Sequence, residues 1–269
     1  MDNRPIGIFD SGIGGLTVTR EIIRVLPKEK IIYIGDTARV PWGIRGKEII
    51  IYFAQELTKF LVKKRVKTIL VACHTASSVA LPYLHTNNIP VLGVIEPAAQ
   101  AAVKKTKNGR IGIVGTPATI KSGAWERALK KRQSNLLIFS SACPLLVPLV
   151  EEGLTGDKIA EIMVRMYLTP LKRARIDTLI LACTHYPLLE KIFRKVSGVT
   201  LINPGEELAV FFKKYLLQND LNVNQKLAVR PKHEFFFTDP SYQALKIANK
   251  FLGEETAKIK IRGVSLENL

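Results

Sequence analysis

Short runs of apolar residues alternate with helical patterns along most of this 269-residue chain. The runs show no regular apolar–polar alternation, which is typical of parallel strands buried on both faces. Between them, apolar residues recur at helical spacing, as from Lys47 to Lys64 and from Lys158 to Ala174. Strands and helices in alternation predict an α/β fold with parallel sheets. The predicted strands are 6–9, 31–35, 68–73, 91–95, 111–115, 136–140, 178–183 and 199–202.

The order of these runs repeats along the chain. IGIF at residue 6 matches IGIV at residue 111, and TILVAC, ending at Cys73, matches TLILAC, ending at Cys183. These landmarks keep similar spacing, so the chain is expected to contain two homologous α/β halves. The tail after about residue 207 has no counterpart in the repeat. It contains the strand-like segment 233–237 and a predicted helix from about Ser241, and it is expected to pack back onto one half.

Two cysteines stand at the carboxyl ends of predicted strands, where open parallel sheets bind ligands. Two halves that face each other place Cys73 and Cys183 in one cleft. A thiolate and a thiol on opposite sides of a substrate carbon suit proton transfer that inverts a stereocentre. The alternatives are a zinc site completed by His74 and His185, and a pair of buried apolar cysteines. The adjacency of Cys73 and His74 disfavours zinc, because successive residues leaving a strand point in different directions. Cys143 has no comparable context and is interpreted as structural.

The glycine-rich turn DSGIGGLTV, residues 10–18, follows the first predicted strand and opens a helix. It is not a dinucleotide fingerprint, because Thr17 occupies the third glycine position, and the chain contains no Walker loop. Asp10 could orient an amino group or assist a base, and it could equally cap the following helix. Thr116 and Thr119 occupy the equivalent turn of the second half.

The segment VPLVEEG ends in a pair of acidic residues, Glu151 and Glu152. Either of them could pair with His185. Acidic pairs at the end of a helix are also commonly just solvated.

The chain is strongly basic, with 40 Lys and Arg against 23 Asp and Glu, a net charge of +17 and a pI near 9.9. The basic residues are dispersed and are not interleaved with aromatic residues, and no nucleic-acid-binding motif is present. We therefore interpret them as a solvated surface that attracts small acidic substrates, and we do not expect nucleic acid as a partner. No apolar run approaches the ~18 residues that span a bilayer. The beginning MDNRPIGIFD lacks a secretory apolar region, which indicates a cytoplasmic protein with three free thiols.

Six motifs in order resemble glutamate racemases, of the cofactor-independent aspartate/glutamate racemase superfamily. They extend to about residue 206 and are FDSGIGGLTV (9–18), GDTARVPWG (35–43), VACHTAS (71–77), GTPATIKS (115–122), LVEEG (149–153) and LACTHYPLL (181–189). The resemblance implies two pseudosymmetric three-layer α/β domains with parallel sheets and the active site in the cleft between them. The expected domains are 1–95 with 207–269, and 96–206.

The resemblance also implies the activity and the site residues. Cys73 and Cys183 become the acid/base pair for interconverting L- and D-glutamate, assisted by Asp10 and by a Glu152–His185 pair near Cys183. The implied substrate-binding residues are Asp10, Ser11, Trp42, Gly43, His74, Thr75, Thr116, Thr119, Thr184 and His185. The family needs no metal or cofactor, supplies D-glutamate for bacterial peptidoglycan, and often forms homodimers.

Two positions depart from the family pattern. The family usually has Tyr where this chain has Trp42, and Asn where it has His74. His74 could hold a carboxylate, or it could crowd the pocket and change which acidic amino acid fits. A racemase of aspartate or another amino acid, and a non-catalytic basic binding protein, therefore stay open as alternatives.

Overall fold

The computed structural model describes residues 1–224, 231–241, 248, 251–253 and 261–266. Its strands are β1 Ile6–Asp10, β2 Ile31–Gly35, β3 Thr68–Val71, β4 Val91–Gly93, β5 Arg110–Gly115, β6 Leu137–Ala142, β7 Thr178–Ala182, β8 Thr200–Ile202, β9 Glu234–Phe237 and β10 Ile261–Gly263. Its helices are α1 Leu16–Val25, α2 Lys47–Lys63, α3 His74–Val79, α4 Ile95–Lys105, α5 Pro117–Lys121, α6 Ala124–Arg132, α7 Leu146–Glu151, α8 Lys158–Arg173, α9 Glu190–Ser197 and α10 Pro204–Gln218.

The strands form two sheets in which every observed pairing is parallel. The first sheet has the order β10-β9-β2-β1-β3-β4, and the second has the order β6-β5-β7-β8. The segment β2-β1-β3-β4 therefore has the same topology as the whole second sheet, which confirms the predicted repeat. The register agrees as well, because Ile6 pairs with Thr68 and Ile111 pairs with Thr178.

The tail extends the first sheet. Its strand β9, predicted at 233–237, pairs with β2, and β10 pairs with β9. The sequence did not predict β10, a short edge strand in which Ile261 is followed by Arg262 and Gly263. The helix predicted from about Ser241 falls mainly outside the described residues.

The apolar strands follow the burial that their sequences predict. Every residue of β1, β2, β3 and β7 is buried, because helices cover both faces of the central strands. Helix α2 buries one stripe, including Leu57 and Leu61, and each such leucine stabilises the fold by about 1.5–3 kcal/mol. One continuous apolar cluster contains residues of both sheets, among them Ile8 and Leu179. None of the helices in the described ranges is long and apolar enough to cross a membrane.

The carboxyl ends of the central strands deliver polar residues to one region. Strand β1 ends at Asp10, and its repeat partner β5 ends directly before Thr116. Strand β3 ends two residues before Cys73, and its partner β7 ends directly before Cys183. The two sheets thus present equivalent chain segments to the space between them.

Candidate active site

A cavity of about 180 Å³ lies between the carboxyl ends of the two sheets. Cys73 lines it from the first half and Cys183 from the second. The two residues are only 4% and 5% exposed, so both thiols are largely removed from bulk water. Electrostatic interactions at buried groups are stronger than at exposed ones.

The thiol of Cys73 lies at the start of α3. Its sulfur accepts a hydrogen bond from the Ala76 backbone N–H at 3.4 Å, and its S–H donates to the Ser11 hydroxyl at 3.4 Å. Burial, together with the nearby Asp10 carboxylate, raises the pKa of Cys73 to about 12. At neutral pH, therefore, Cys73 is a neutral thiol, which is the form that donates a proton.

The thiol of Cys183 lies beside a charged imidazole. Its sulfur is 3.8 Å from Nδ1 of His185, and Nε2 of His185 is 2.9 Å from Oε1 of Glu151. Burial opposes the charged form of His185, but the contacts with Cys183 and Glu151 outweigh it and raise its pKa to about 10. An imidazolium next to a sulfur favours the thiolate, which is the form that accepts a proton.

The acidic partner of His185 is Glu151, and the predicted Glu152–His185 pair is wrong. Helix α7 ends at Glu151, so that its side chain lines the cavity, whereas Glu152 is the exposed residue that follows. One residue along a helix turns the side chain by about 100°, which is enough to move a carboxylate from the cavity into solvent. The sequence indicated this contact only through its two adjacent glutamates, either of which was a candidate partner for His185.

Asp10 joins the two halves beneath the cavity. It is fully buried, its Oδ1 accepts from the Gly12 N–H at 3.0 Å, and its Oδ2 accepts from the Thr184 hydroxyl at 3.4 Å. Burial raises the pKa of Asp10, although His185 acts in the opposite direction. The carboxylate accepts from a turn of its own half and from the opposite half, so it does more than cap α1.

The glycine-rich turn contacts the second half directly. The Thr17 hydroxyl, at the start of α1, donates to the backbone oxygen of Thr184 at 2.8 Å. A Cβ atom at Gly14 would overlap the Thr184 hydroxyl and the His185 ring. This close approach explains why a glycine stands at position 14, a requirement that the sequence alone did not reveal.

Three threonine hydroxyls meet across the cleft. Thr75 comes from α3, and Thr116 and Thr119 come from the turn that opens α5. Their Oγ1 atoms are 3.0 Å apart for Thr75–Thr116, 3.3 Å for Thr75–Thr119 and 2.9 Å for Thr116–Thr119. Gly43 packs closely on Thr116, because a Cβ at position 43 would meet that side chain. The hydroxyls can rotate to present donors to a carboxylate.

Trp42 forms one wall of the cavity and is anchored from behind. It is buried, and its indole N–H donates to Asp36 Oδ2 at 3.2 Å. Asp36 is fully buried and also accepts from Arg39 Nε at 2.7 Å and from the Thr238 hydroxyl at 2.9 Å. The indole of Trp42 therefore has a fixed orientation.

The structure brings most of the predicted site residues to the cavity wall. Those that line it are Ser11, Trp42, Gly43, Cys73, His74, Thr75, Thr116, Cys183, Thr184 and His185. Asp10 and Thr119 lie behind this wall, bonded to residues that form it. The described lining includes no lysine or arginine, so His185 supplies its positive charge. Among the described residues, no cluster of three or more His, Cys, Asp or Glu could hold a metal ion.

Comparison with known proteins identifies the class that this fold and site define. Residues 6–211 match the model of the Asp/Glu/Hydantoin racemase family, and the chain belongs to that family. A glutamate racemase of Geobacter metallireducens is 43% identical over 256 residues, covering 94% of each chain. One of Persephonella marina is 46% identical over 245 residues, covering 90% of this chain and 91% of its own.

A solved structure agrees over the full length. The glutamate racemase of Francisella tularensis, crystallised with D-glutamate, superposes with a TM-score of 0.93 at 34% identity and 100% coverage of both chains. The two parallel-sheet α/β units described above therefore have the arrangement of a glutamate racemase, as the motifs predicted.

Proposed function

We propose that the chain is a glutamate racemase that interconverts L- and D-glutamate by moving a proton between two cysteines. The observation that carries this is the pair of buried thiols at the ends of equivalent strands, Cys73 and Cys183, lining one cavity. Relatives at 43% and 46% identity over almost the whole chain are glutamate racemases.

The proton leaves the substrate on the Cys183 side in one direction of the reaction. The imidazolium of His185, held by Glu151, stabilises Cys183 as a thiolate. This thiolate takes the α-proton, and the electron pair of the C–H bond stays on the substrate as a carbanion conjugated with the α-carboxylate. Donors held in fixed positions around the carboxylate stabilise that charge.

The proton that completes inversion comes from the opposite side. Cys73 is a neutral thiol, and it donates its proton to the other face of the carbanion, which gives the other enantiomer and a Cys73 thiolate. The substrate ammonium, held near Asp10 and Ser11, offsets the charge of that thiolate. In the reverse reaction the Cys73 thiolate takes the proton and Cys183 donates, so each cysteine serves as acid and as base.

The carboxylates of glutamate would be held by neutral donors. The hydroxyls of Thr75, Thr116 and Thr184 and the backbone at Gly43 line the cavity, with Thr119 bonded to Thr116 from behind. Trp42 supplies an apolar wall for the methylenes. Neutral hydroxyls can bind the carboxylates of both enantiomers, and they add no charge to either face of the substrate α-carbon. The net charge of +17 attracts the two negatively charged carboxylates of glutamate toward the protein.

Turnover on two substrates, followed by circular dichroism without added pyridoxal phosphate or metal, tests this proposal. Glutamate should racemise at least about a hundredfold faster than aspartate by kcat/KM, and alanine at either cysteine should abolish the reaction. Faster turnover of aspartate would show that aspartate, and not glutamate, is the substrate of this chain. Absence of turnover on both would contradict the enzyme assignment.

Four further assignments rest on the family resemblance. We propose that the protein works in the cytoplasm and supplies D-glutamate for peptidoglycan. We also propose that it forms a homodimer. Its first domain consists of residues 1–95 together with 207–269, and its second domain of residues 96–206. The pairing of β9 with β2 supports the return of the tail to the first domain. Light scattering of the purified chain measures the oligomeric state, and a monomer at micromolar concentration contradicts the dimer.

A further inference from the structure

Buried polar atoms without a partner concentrate at one place beside the active site. Within the described residues these atoms are Nδ1 and Nε2 of His74, Oγ of Ser78, Nε1 of Trp125 and one nitrogen of Arg39. His74 and Ser78 are four residues apart on α3 and so share a face of that helix. Trp125, on α6, stacks on His74 with ring centroids 6.1 Å apart and an interplanar angle of 18°. All of these except the Arg39 nitrogen therefore belong to one seam between the two halves.

The turn before α6 places the indole in this seam. Gly123 adopts φ = 66°, a left-handed conformation that favours glycine, and α6 begins at the next residue. Trp125 then points inward and is only 2% exposed. Leu129, one turn further along the same helix, is fully buried as well.

We propose that Trp125 is a positioning residue of the Cys73 half-site, which acts by holding the imidazole of His74 buried and uncharged beside the cavity. Unpartnered buried groups are rare in proteins and each costs about 1–3 kcal/mol, so that a purely structural core would not concentrate them here. The stacked ring covers the imidazole and shields it from the water that a charged imidazole needs.

The electrostatic surroundings of His74 agree with this role. Burial and the repulsion of the charged His185 lower the pKa of His74 to about 3. The charged groups on the packed helices α4 and α6 are exposed and engaged elsewhere, Glu96 with Arg132 and Glu126 with Lys130. Helices α2 and α5 also pack on α3; on α2, Glu48 is exposed and Glu56 pairs with Arg39, and on α5 Lys121 is exposed. Arg127 donates to the backbone oxygen of Ser122. None of these acidic groups is therefore placed to support a charged His74.

The consequence is an unequal pair of half-sites. Cys183 has a cation beside it, whereas the imidazole of His74, which lines the same cavity as Cys73, is neutral. A cation at His74 would favour a thiolate at Cys73 and remove the proton donor that inversion requires. Trp125 thus preserves the thiol–thiolate difference between the two cysteines.

A double-mutant cycle tests the proposal on the full-length enzyme. At about pH 5.5, where an imidazole of ordinary pKa is mostly charged, Trp125→Phe keeps a stacking ring and should change kcat/KM for glutamate by less than about threefold, whereas Trp125→Leu should lower it about tenfold. In the His74→Asn background, the same Leu substitution should cost less than about threefold, because the group on which Trp125 acts is gone. Equal losses in both backgrounds would overturn the proposal.

The pH profile separates positioning from packing. Trp125→Leu should add an ionisation between about pH 6 and 7 to kcat/KM, and Trp125→Leu/His74→Asn should lack it. Leu129→Ala removes buried volume from the same helix, and it should lower Tm without adding that ionisation. If Trp125→Leu does not fold, nuclear magnetic resonance of the unmodified enzyme tests the proposal instead. The imidazole proton resonance of His74 is assigned by comparison with His74→Asn and followed as the pH changes. It should not titrate between pH 5 and 8, and titration near 6.5 would contradict the account.

Discussion

Nε2 of His185 lies 2.9 Å from Oε1 of Glu151, and this contact fixes the charge beside Cys183. The imidazole cannot turn away, because its other nitrogen faces the Cys183 sulfur at 3.8 Å. The neighbouring Glu152 is exposed and takes no part in this contact. The two adjacent glutamates therefore form a matched pair for mutation.

Neutralising Glu151 should damage catalysis, and neutralising Glu152 should not. Glu151→Gln removes the carboxylate that stabilises the imidazolium, so we expect kcat/KM to fall by about tenfold to a hundredfold. Glu152→Gln should stay within about twofold. Steady-state kinetics on both enantiomers measure these effects. The opposite ranking of the two variants would restore the pairing that the sequence predicted.

The alkaline side of the pH profile should depend on the same carboxylate. Activity falls as pH rises through the pKa of His185, about 10, because the cation beside Cys183 is then lost. Glu151→Gln withdraws support from the cation and lowers that pKa, so the alkaline limb of kcat/KM should move to lower pH. An alkaline limb that is unchanged in the variant would show that His185 does not control it.

The close approach at the glycine-rich turn predicts a large effect from one methyl group. Gly14→Ala places a Cβ against the Thr184 hydroxyl and the His185 ring, so the halves cannot close in this arrangement. We expect kcat/KM to fall about a hundredfold or more, since displacements of this size misalign the reacting groups. Gly156→Ala is the control, because a Cβ there would meet no non-neighbouring atom of the described residues within 4 Å. Similar activity in both variants would contradict the described contact.

His74 should make the fold sensitive to acid. Its pKa is about 3 in the folded chain and about 6.5 when unfolded, so the unfolded state binds more protons between these values. Stability is therefore lost as pH falls below about 6.5, by up to about 1.4 kcal/mol per pH unit. Urea unfolding between pH 4 and 7 should show a shallower dependence for His74→Asn. Identical slopes would mean that His74 is protonated in the folded protein.

The activity of His74→Asn follows from the family pattern. The amide of Asn offers both N–H donors and a carbonyl acceptor, and neutral imidazole likewise offers a donor and an acceptor, so racemisation should stay within about tenfold. A larger change in kcat/KM would give His74 a role in the reaction that an amide cannot fill.

The sequence predicted the sheets well because their central strands are buried on both faces. Such strands appear as continuous apolar runs, and β1, β2, β3 and β7 were recognisable for this reason. The edge strand β10 carries no such signal, since Arg262 and Gly263 make up most of it and its position comes from pairing with β9.

The candidate site was predictable in composition and less so in geometry. The repeat placed Cys73 and Cys183 at equivalent strand ends, and the structure brings both to one cavity. The choice between Glu151 and Glu152 depends on where α7 ends, which packing decides. The stack of Trp125 on His74 joins residues far apart in the chain, and no local pattern in the sequence indicates it.

The stereochemical course of hydrogen exchange tests two-base racemisation most directly. The purified protein is incubated in D₂O with L-glutamate and, separately, with D-glutamate, and each enantiomer is analysed early in the reaction. We predict that the product carries deuterium at the α-carbon while the remaining substrate retains protium, because the proton is taken by one thiol and delivered by the other. Deuterium that appears in the remaining substrate as fast as in the product would indicate a single base and would contradict the assignment of Cys73 and Cys183 to opposite faces.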